Sequence, residues 1–228
     1  GQVALAGDWF VGGGIAYTDD RYSDLQPNES ASGHGFLAGV SVKRQSGPWV
    51  LSATLAGGNA WADATRTFAL PGVAGSSPLT YTANASNRTA YVDGKLRATY
   101  AIALDGAYLR PALDLDVIHT RMGGYRETGA DLYSLDVAAG SQTLFMATPA
   151  LEAGTRVALD AAGTLRVYGM LGLSLLSKDG FSASAALAGV PGGGTFDITA
   201  PIPAVFGKAA VGVELFRDGG IEARLQYN

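Results

Sequence analysis

Strand-length segments in which apolar residues alternate with charged or small residues recur along this chain and limit the folds open to it. Clear examples are Val92–Tyr100, Leu151–Leu159 and Ile221–Tyr227. Because successive side chains of a β-strand point to opposite faces, each segment has one apolar face and one polar face. A soluble sandwich turns the apolar face into its core, whereas a membrane barrel turns it toward lipid and its polar face toward a wet interior. The alternation predicts an all-β fold and leaves open which face meets water.

The composition narrows the class of protein. Charged residues make up 16% of the chain and glycine supplies 32 of its 228 residues, against roughly 25% charge and 7% glycine in an ordinary domain. This balance suits a chain that faces lipid, and it is also compatible with a glycine-rich secreted β protein. No apolar run approaches the roughly 18 residues of a membrane-spanning helix.

Charge and cysteine content exclude several functions. The net charge is −4 and no basic stripe collects on one face, so nucleic acid is not expected as a partner. The chain has no cysteine, which excludes disulfides, thiolate catalysis and cysteine metal sites.

Turn residues divide the chain into about ten strand candidates, which predicts an antiparallel barrel or sandwich. No window has the 3.6-residue periodicity of a long amphipathic helix. The predicted strands are Gln2–Ala6, Trp9–Tyr17, Gly35–Arg44, Pro48–Ala60, Thr89–Leu104, Ala107–Arg121, Leu144–Leu159, Thr164–Leu176, Ala204–Phe216 and Ile221–Asn228.

Short and long links alternate between these strands. In an up-and-down meander, alternate links lie at the same end, so all tight turns share one rim and all long loops the other. Outer-membrane barrels have this asymmetry, with short periplasmic turns and long extracellular loops, and the alternation therefore favours a transmembrane barrel. The short links are Gly7-Asp8, Gln45–Gly47, Asp105-Gly106, Asp160–Gly163 and Arg217–Gly220, and the long ones are Thr18–His34, Trp61–Arg88, Met122–Thr143 and Ser177–Pro203.

The polar faces carry six acidic and six basic residues. In a barrel they must look inward, because Arg or Lys on the lipid face costs about 2–4 kcal/mol at the midplane. In a soluble sheet the same residues would form the solvated outer face. They are Asp93, Lys95, Arg97, Asp114, Asp116, Glu152, Arg156, Arg166, Lys208, Glu214, Glu222 and Arg224.

Aromatic residues lie near the predicted strand ends, as in the interfacial girdles of membrane proteins. They are Trp9, Tyr17, Trp49, Tyr100, Tyr108, Phe206, Phe216 and Tyr227.

Five segments, in their order and spacing, resemble one known family. They are Gly7–Tyr17, Leu109–Leu115, Gly124–Gly129, Ala150–Arg156 and Ile221–Asn228. With these segments the chain resembles, over nearly its whole length, the C-terminal translocator domain of bacterial autotransporters (type V secretion).

This resemblance implies an outer-membrane barrel of twelve strands, with an α-helix in its lumen that leads to a secreted passenger. Residues 1–228 would then form a single translocator domain that lacks the plug helix, the first strand and the last strand. The implied partners are outer-membrane lipid, the chain's own passenger and plug helix, and the barrel-assembly machinery. The twelve charged residues above become candidates for contact with the helix or the translocating chain. The start at Gly1 and the end at Asn228 lead us to expect a longer precursor on both sides.

No enzyme signature is evident. The two histidines, His34 and His119, do not have the spacing of a metal pair, and no nucleophile elbow, phosphate loop or dinucleotide motif occurs. Asp114 and Asp116 with His119 resemble the Asp and His of outer-membrane proteases, but a structural role is favoured for them. We expect no catalysis, no metal and no cofactor.

Three hypotheses remain at this point. The leading one is an outer-membrane translocator that anchors and supports export of an N-terminal passenger. The alternative is a secreted all-β binding or adhesion module that uses Thr18–His34 and Met122–Thr143 as a recognition rim. The third is a membrane enzyme with its chemistry around His119.

Overall fold

A computed structural model of the protein describes residues 1–23, 28–71, 77–160, 163–190, 192–217 and 221–227. Fifteen strands and one short 3-10 helix, at Asp131–Tyr133, make up its regular structure. The strands are β1 (Gln2–Ala4), β2 (Trp9–Ser23), β3 (Glu29–Ser46), β4 (Trp49–Leu70), β5 (Leu79–Tyr100), β6 (Ile102–Leu104), β7 (Ala107–Met122), β8 (Tyr125–Arg126), β9 (Leu135–Val137), β10 (Gly140–Asp160), β11 (Gly163–Leu176), β12 (Gly180–Leu187), β13 (Phe196–Pro201), β14 (Val205–Arg217) and β15 (Ile221–Tyr227).

The main sheet is an up-and-down antiparallel meander. Its order is β1-β2-β3-β4-β5-β7-β10-β11-β14-β15, and the short β6 also pairs with β7. The ten strands of this path curl into a half-barrel, so the predicted all-β meander of about ten strands is confirmed. Among the described strands, β1 and β15 are the two edges and do not pair with each other.

Tight turns occupy one rim, as the link lengths predicted. Gly7 and Asp8 both have positive φ, 71° and 62°, the conformation of a type I′ turn, whose twist matches that of the strands it joins. Two further predicted turns join β3 to β4 and β6 to β7, with Gly47 and Gly106 at positive φ. Parts of the remaining two, residues 161–162 and 218–220, lie outside the described residues, but the strands they join are paired as predicted.

The predicted extents of the long links Thr18–His34 and Trp61–Arg88 were wrong, because most of both segments is strand. Strand β2 runs to Ser23 and β3 begins at Glu29, while β4 runs to Leu70 and β5 begins at Leu79. Polar cross-strand pairs hold these extensions, such as Thr67 Oγ1 and Thr82 Oγ1, which are 3.1 Å apart. A strand with water on both faces needs no apolar alternation, so the sequence pattern did not reveal it. Residues 24–27 and 72–76 lie outside the described residues.

The two other long links form a second sheet above the rim. Its order is β13-β12-β9-β8, so the Met122–Thr143 segment pairs with the Ser177–Pro203 segment through β9 and β12. Ala130, Val137 and Ala185 are at most 2% exposed there, so this region holds three of the six buried apolar residues in the described part of the chain.

An ion pair joins the second sheet to the main one. Arg66 of β4 donates from Nε and Nη2 to the two carboxylate oxygens of Glu127, at 2.8 and 2.6 Å. This hydrogen bonding raises the pKa of Arg66. Glu127 also accepts from the Leu135 N–H at 2.9 Å. The long-loop rim is therefore an ordered structure attached to β4.

Candidate functional site: the polar face of the sheet

The pattern of burial is the reverse of that in a soluble protein, because charged side chains are buried and apolar side chains are exposed. Along β7, Asp114 and Asp116 are each 3% exposed, whereas Leu113 and Leu115 between and beside them are 43% and 45% exposed. On a curled sheet, side chains of the concave face converge and shield one another, so the sheet curls around its polar face.

The opposite face presents a continuous apolar surface. A monomeric soluble protein rarely exposes a continuous apolar patch of more than a few hundred Å², whereas a membrane barrel turns such a face toward lipid. The exposed residues of this face include Leu151, Val157, Leu159, Val167, Leu171, Leu173, Leu175, Val211, Val213, Leu225 and Tyr227.

A first group of ion pairs joins β5 to β7 on the polar face. Arg97 Nε lies 2.6 Å from Asp114 Oδ1, and Lys95 Nζ lies 3.1 Å from Asp116 Oδ1 and 3.9 Å from Asp114 Oδ2. The register places Lys95 opposite Asp116 and Arg97 opposite Asp114. The charges alternate along both strands, and the register therefore places opposite charges side by side, where they form ion pairs.

A second group centres on Arg166 of β11, which is 9% exposed. Its Nη2 lies 2.5 Å from Glu152 Oε1 of β10, and its Nη1 lies 2.5 Å from Glu214 Oε2 of β14. Glu152 also forms an ion pair with Arg110 of β7 at 2.5 Å, and Glu214 forms one with Arg224 of β15 at 3.2 Å. One network therefore crosses five strands.

The structure places eleven of the twelve predicted charges on this polar face, and the side chain of Glu222 lies outside the described residues. These residues differ in their exposure and in the number of ion pairs and hydrogen bonds that they form. Arg156 is exposed, with its guanidinium 5.9 Å from the centre of the Tyr108 ring. Lys208 is half-buried and has no carboxylate within ion-pair distance among the described residues. Asp93 Oδ1 and Asp116 Oδ2 are buried without a hydrogen-bond partner there.

A sequence profile of the autotransporter beta-domain family matches residues 1–228. The chain belongs to the autotransporter β-domain family.

Solved structures agree on the fold. The translocator domain of the autotransporter NalP from Neisseria meningitidis superposes with a TM-score of 0.67 at 11% identity, over 99% of this chain and 70% of that one. The Pseudomonas putida toluene transporter TodX superposes with a TM-score of 0.51 at 13% identity, over 99% of this chain and 66% of that one. A comparison with curated protein sequences found no match. The family places this β-domain in the bacterial outer membrane.

Aromatic side chains border the apolar face of the β-domain at both ends. At the tight-turn end, Trp49 and Tyr100 meet edge to face at 4.9 Å. At the other end, His34 stacks on Trp61 at 5.4 Å and on Tyr17 at 6.5 Å. Trp49 and Trp61 lie twelve residues apart on β4, about 40 Å along a strand and about 28 Å along the normal at a 45° tilt, close to the roughly 25 Å apolar band of such barrels.

Three aromatic residues predicted for the girdles were placed wrongly. Tyr108, Phe206 and Phe216 lie on the polar face, since each is in register with residues of that face. The Tyr108 hydroxyl donates to Glu152 Oε1 at 2.7 Å and accepts from Arg166 Nε at 2.7 Å. Position near a strand end does not distinguish an aromatic residue of the girdle from one of the interior.

Sequence reasoning also missed Arg110 and Tyr168 of the polar face. Tyr168 donates to Gln226 at 2.9 Å, and its ring lies over Gly212, where a Cβ would approach Tyr168 Cζ to 2.4 Å. Extending the alternation of Asp114 and Asp116 toward the start of β7 would have found Arg110 and Tyr108. The Gly212 contact had no comparable signal, because it joins residues on different strands.

The residues of the enzyme hypothesis are not brought together. His119 is exposed on the apolar face, with Nδ1 2.9 Å from Thr143 Oγ1, whereas Asp114 and Asp116 point to the polar face. The described residues include no group of three side chains that would hold a metal ion. They also include no helix of the length and hydropathy needed to cross a membrane. The autotransporter β-domain family is not an enzyme family.

Proposed function

We propose that this β-domain is the translocator of a longer autotransporter precursor, and that its polar face lines the lumen through which its own passenger is exported. In this proposal residues 1–228 form one domain, flanking strands of the precursor close the barrel, and the barrel-assembly machinery inserts it. Closure is required because unpaired backbone groups at β1 and β15 would cost several kcal/mol each in lipid. The domain carries out no catalysis and needs no cofactor.

The proposal rests on two buried carboxylate oxygens of the polar face that lack a hydrogen-bond partner in the described part of the chain. Asp93 Oδ1 and Asp116 Oδ2 are buried without a hydrogen-bond partner among the described residues, and buried acceptors in folded proteins are normally satisfied. A segment of the precursor that occupies the lumen, as a helix or as an extended chain, brings donors to this position.

The remaining charges suit a passage rather than a tight binding site. Arg166 already pairs with both Glu152 and Glu214, so a passing chain meets a polar wall with few uncompensated charges. An apolar lumen would instead trap hydrophobic segments of the passenger. The lumen-contact candidates are the twelve residues named from the sequence, with Arg110, Tyr108 and Tyr168 added.

Photocrosslinking in the full precursor tests this proposal. A photoreactive residue is placed at Thr54, which is half-buried on the polar face opposite Lys95, or at Leu55, which is 57% exposed on the apolar face. We expect Thr54 to crosslink to the precursor segment upstream of Gly1, and Leu55 to crosslink only to lipid. Mass spectrometry of the crosslinked peptides identifies the partner.

The two positions are adjacent, so they share expression, insertion and depth. Crosslinks to the upstream segment from both positions, or from neither, would contradict the proposed lumen. Cleavage of the passenger by external protease confirms in the same samples that export has occurred.

A further inference from the structure

We propose that Arg88 and Arg121 form a binding site for the phosphate of an anionic membrane lipid on the apolar face, at its long-loop end. This inference depends on the outer-membrane location of the β-domain and not on what its lumen transports. Four features of the described residues support it.

The first feature is the position of the two arginines. Arg88 has the strand parity of Val92 and Leu96 on β5, and Arg121 has that of Leu115 and Val117 on β7, so both belong to the lipid-facing side. Each is the first fully charged residue on its strand beyond the apolar band. At this level a barrel meets the headgroups of the bilayer.

The second feature is the way Arg88 is held. Its guanidinium lies 5.3 Å from the centre of the Trp61 ring and donates from Nε and Nη2 to Asn59 Oδ1 at 3.2 and 2.8 Å. Asn59 precedes Trp61 on β4 on the side of the membrane band, so the guanidinium leans toward the bilayer. Nη1 and one N–H of Nη2 have no acceptor among the described residues.

The third feature is the closeness of two like charges. Ala90 pairs with Arg121 in the register of β5 and β7, and the Gly123 N–H donates to the Arg88 carbonyl oxygen at 2.8 Å. Arg88 and Arg121 are therefore diagonal cross-strand neighbours on one face, about 7–8 Å apart at the backbone. Neither has a carboxylate within ion-pair distance in the described part of the chain. An anion between them relieves their repulsion.

The fourth feature is the contrast with arginines of the same rim that are not on the lipid face. Arg66 is paired with Glu127, and Arg126 of the second sheet is paired with Asp136. The acidic residues near the proposed site are Asp63, which accepts from Ser86 Oγ at 2.5 Å and lies farther from the band, and Asp19 of β2, opposite His34. His119 adds an imidazole two residues from Arg121.

These features select the ligand class. A guanidinium donates two parallel hydrogen bonds to a phosphate, and cations at a membrane surface attract anionic headgroups. Trp61 and Tyr17 supply the aromatic surface that lies at the boundary between headgroup and acyl chain. A lipid phosphate combines both requirements, whereas free phosphate satisfies only the first.

Native mass spectrometry of the β-domain, expressed and folded with the precursor strands that close its barrel, tests the site. The protein is released from vesicles that contain equal amounts of phosphatidylglycerol and phosphatidylcholine, and the lipids retained on it are counted. We expect the wild-type protein to retain phosphatidylglycerol preferentially. The double substitution Arg88→Gln and Arg121→Gln is expected to reduce that preference about thirtyfold, as the loss of two headgroup-level charges implies.

Arg126→Gln is the matched control, because it removes a positive charge from the same end of the molecule without changing the lipid face. Its preference for phosphatidylglycerol is expected to be unchanged, and millimolar inorganic phosphate is expected not to displace the lipid. An undiminished preference in the double variant, an equal loss in the control, or displacement by free phosphate would each overturn the inference. If the double variant does not fold, Arg121→Gln alone is expected to show a reduction of about fivefold.

Discussion

Replacing Leu171 by arginine is expected to lower the free energy of unfolding of the β-domain in a bilayer by about 2–4 kcal/mol, in a protein that includes the precursor strands that close the barrel. Leu171 is 70% exposed on the apolar face, near the middle of β11, and its register neighbours Leu151 and Ala209 are uncharged. An arginine at the midplane of the lipid face costs about 2–4 kcal/mol. That is a large part of the 5–15 kcal/mol by which proteins are usually stable.

Met170→Arg is the matched control. Met170 is the preceding residue, lies on the polar face and is in register with Glu152, so the new guanidinium meets a carboxylate. The urea concentration that unfolds half of the protein in phosphatidylcholine vesicles, measured by heat-modifiable mobility in gel electrophoresis, is expected to fall for Leu171→Arg and to stay near wild type for Met170→Arg. Equal unfolding midpoints for the two variants would show that the faces are assigned wrongly.

Replacing Arg166 by methionine is expected to lower the free energy of unfolding by about 3–5 kcal/mol, the usual cost of removing one partner from a buried ion pair. Arg166 connects Glu152 and Glu214, whose side chains are 12% and 6% exposed. The carboxylates would retain Arg110 and Arg224, but the link across β11 would be lost. Methionine has a similar length, so little of the effect comes from a cavity.

Arg97→Met provides the comparison for this prediction. The Arg97 side chain is 43% exposed, and exposed pairs contribute about 0–1 kcal/mol, while Asp114 keeps Lys95 at 3.9 Å. Urea unfolding in vesicles measures both variants. A smaller effect for Arg166→Met than for Arg97→Met would contradict a buried ion-pair network centred on Arg166.

The fold and the identity of the polar face were predictable because they depend on a local pattern. A period of two residues is visible in any strand that has different solvents on its two faces, and the register then brings Lys95 opposite Asp116. The secreted-module alternative required the apolar face to be buried. That face is exposed, and most of the buried apolar residues are alanines.

What the sequence did not reveal depends on distant contacts or on strands without an apolar face. The pairing of β9 with β12 joins Leu135 to Leu187, and Arg66 reaches Glu127 across 61 residues of sequence. Neither segment has a pattern that specifies its partner. The extension of β4 to Leu70 was missed for a related reason, since its polar pairs resemble loop composition.

Spin labelling along β5 tests the central claim that the apolar face meets lipid and the polar face meets the interior. The chain has no cysteine, so one introduced cysteine takes one label. In vesicles, labels at Val92, Leu96 and Ala98 are expected to collide mainly with oxygen dissolved in lipid, and labels at Asp93, Lys95 and Thr99 mainly with a water-soluble nickel complex. Loss of this two-residue alternation, or its reversal, would contradict the account.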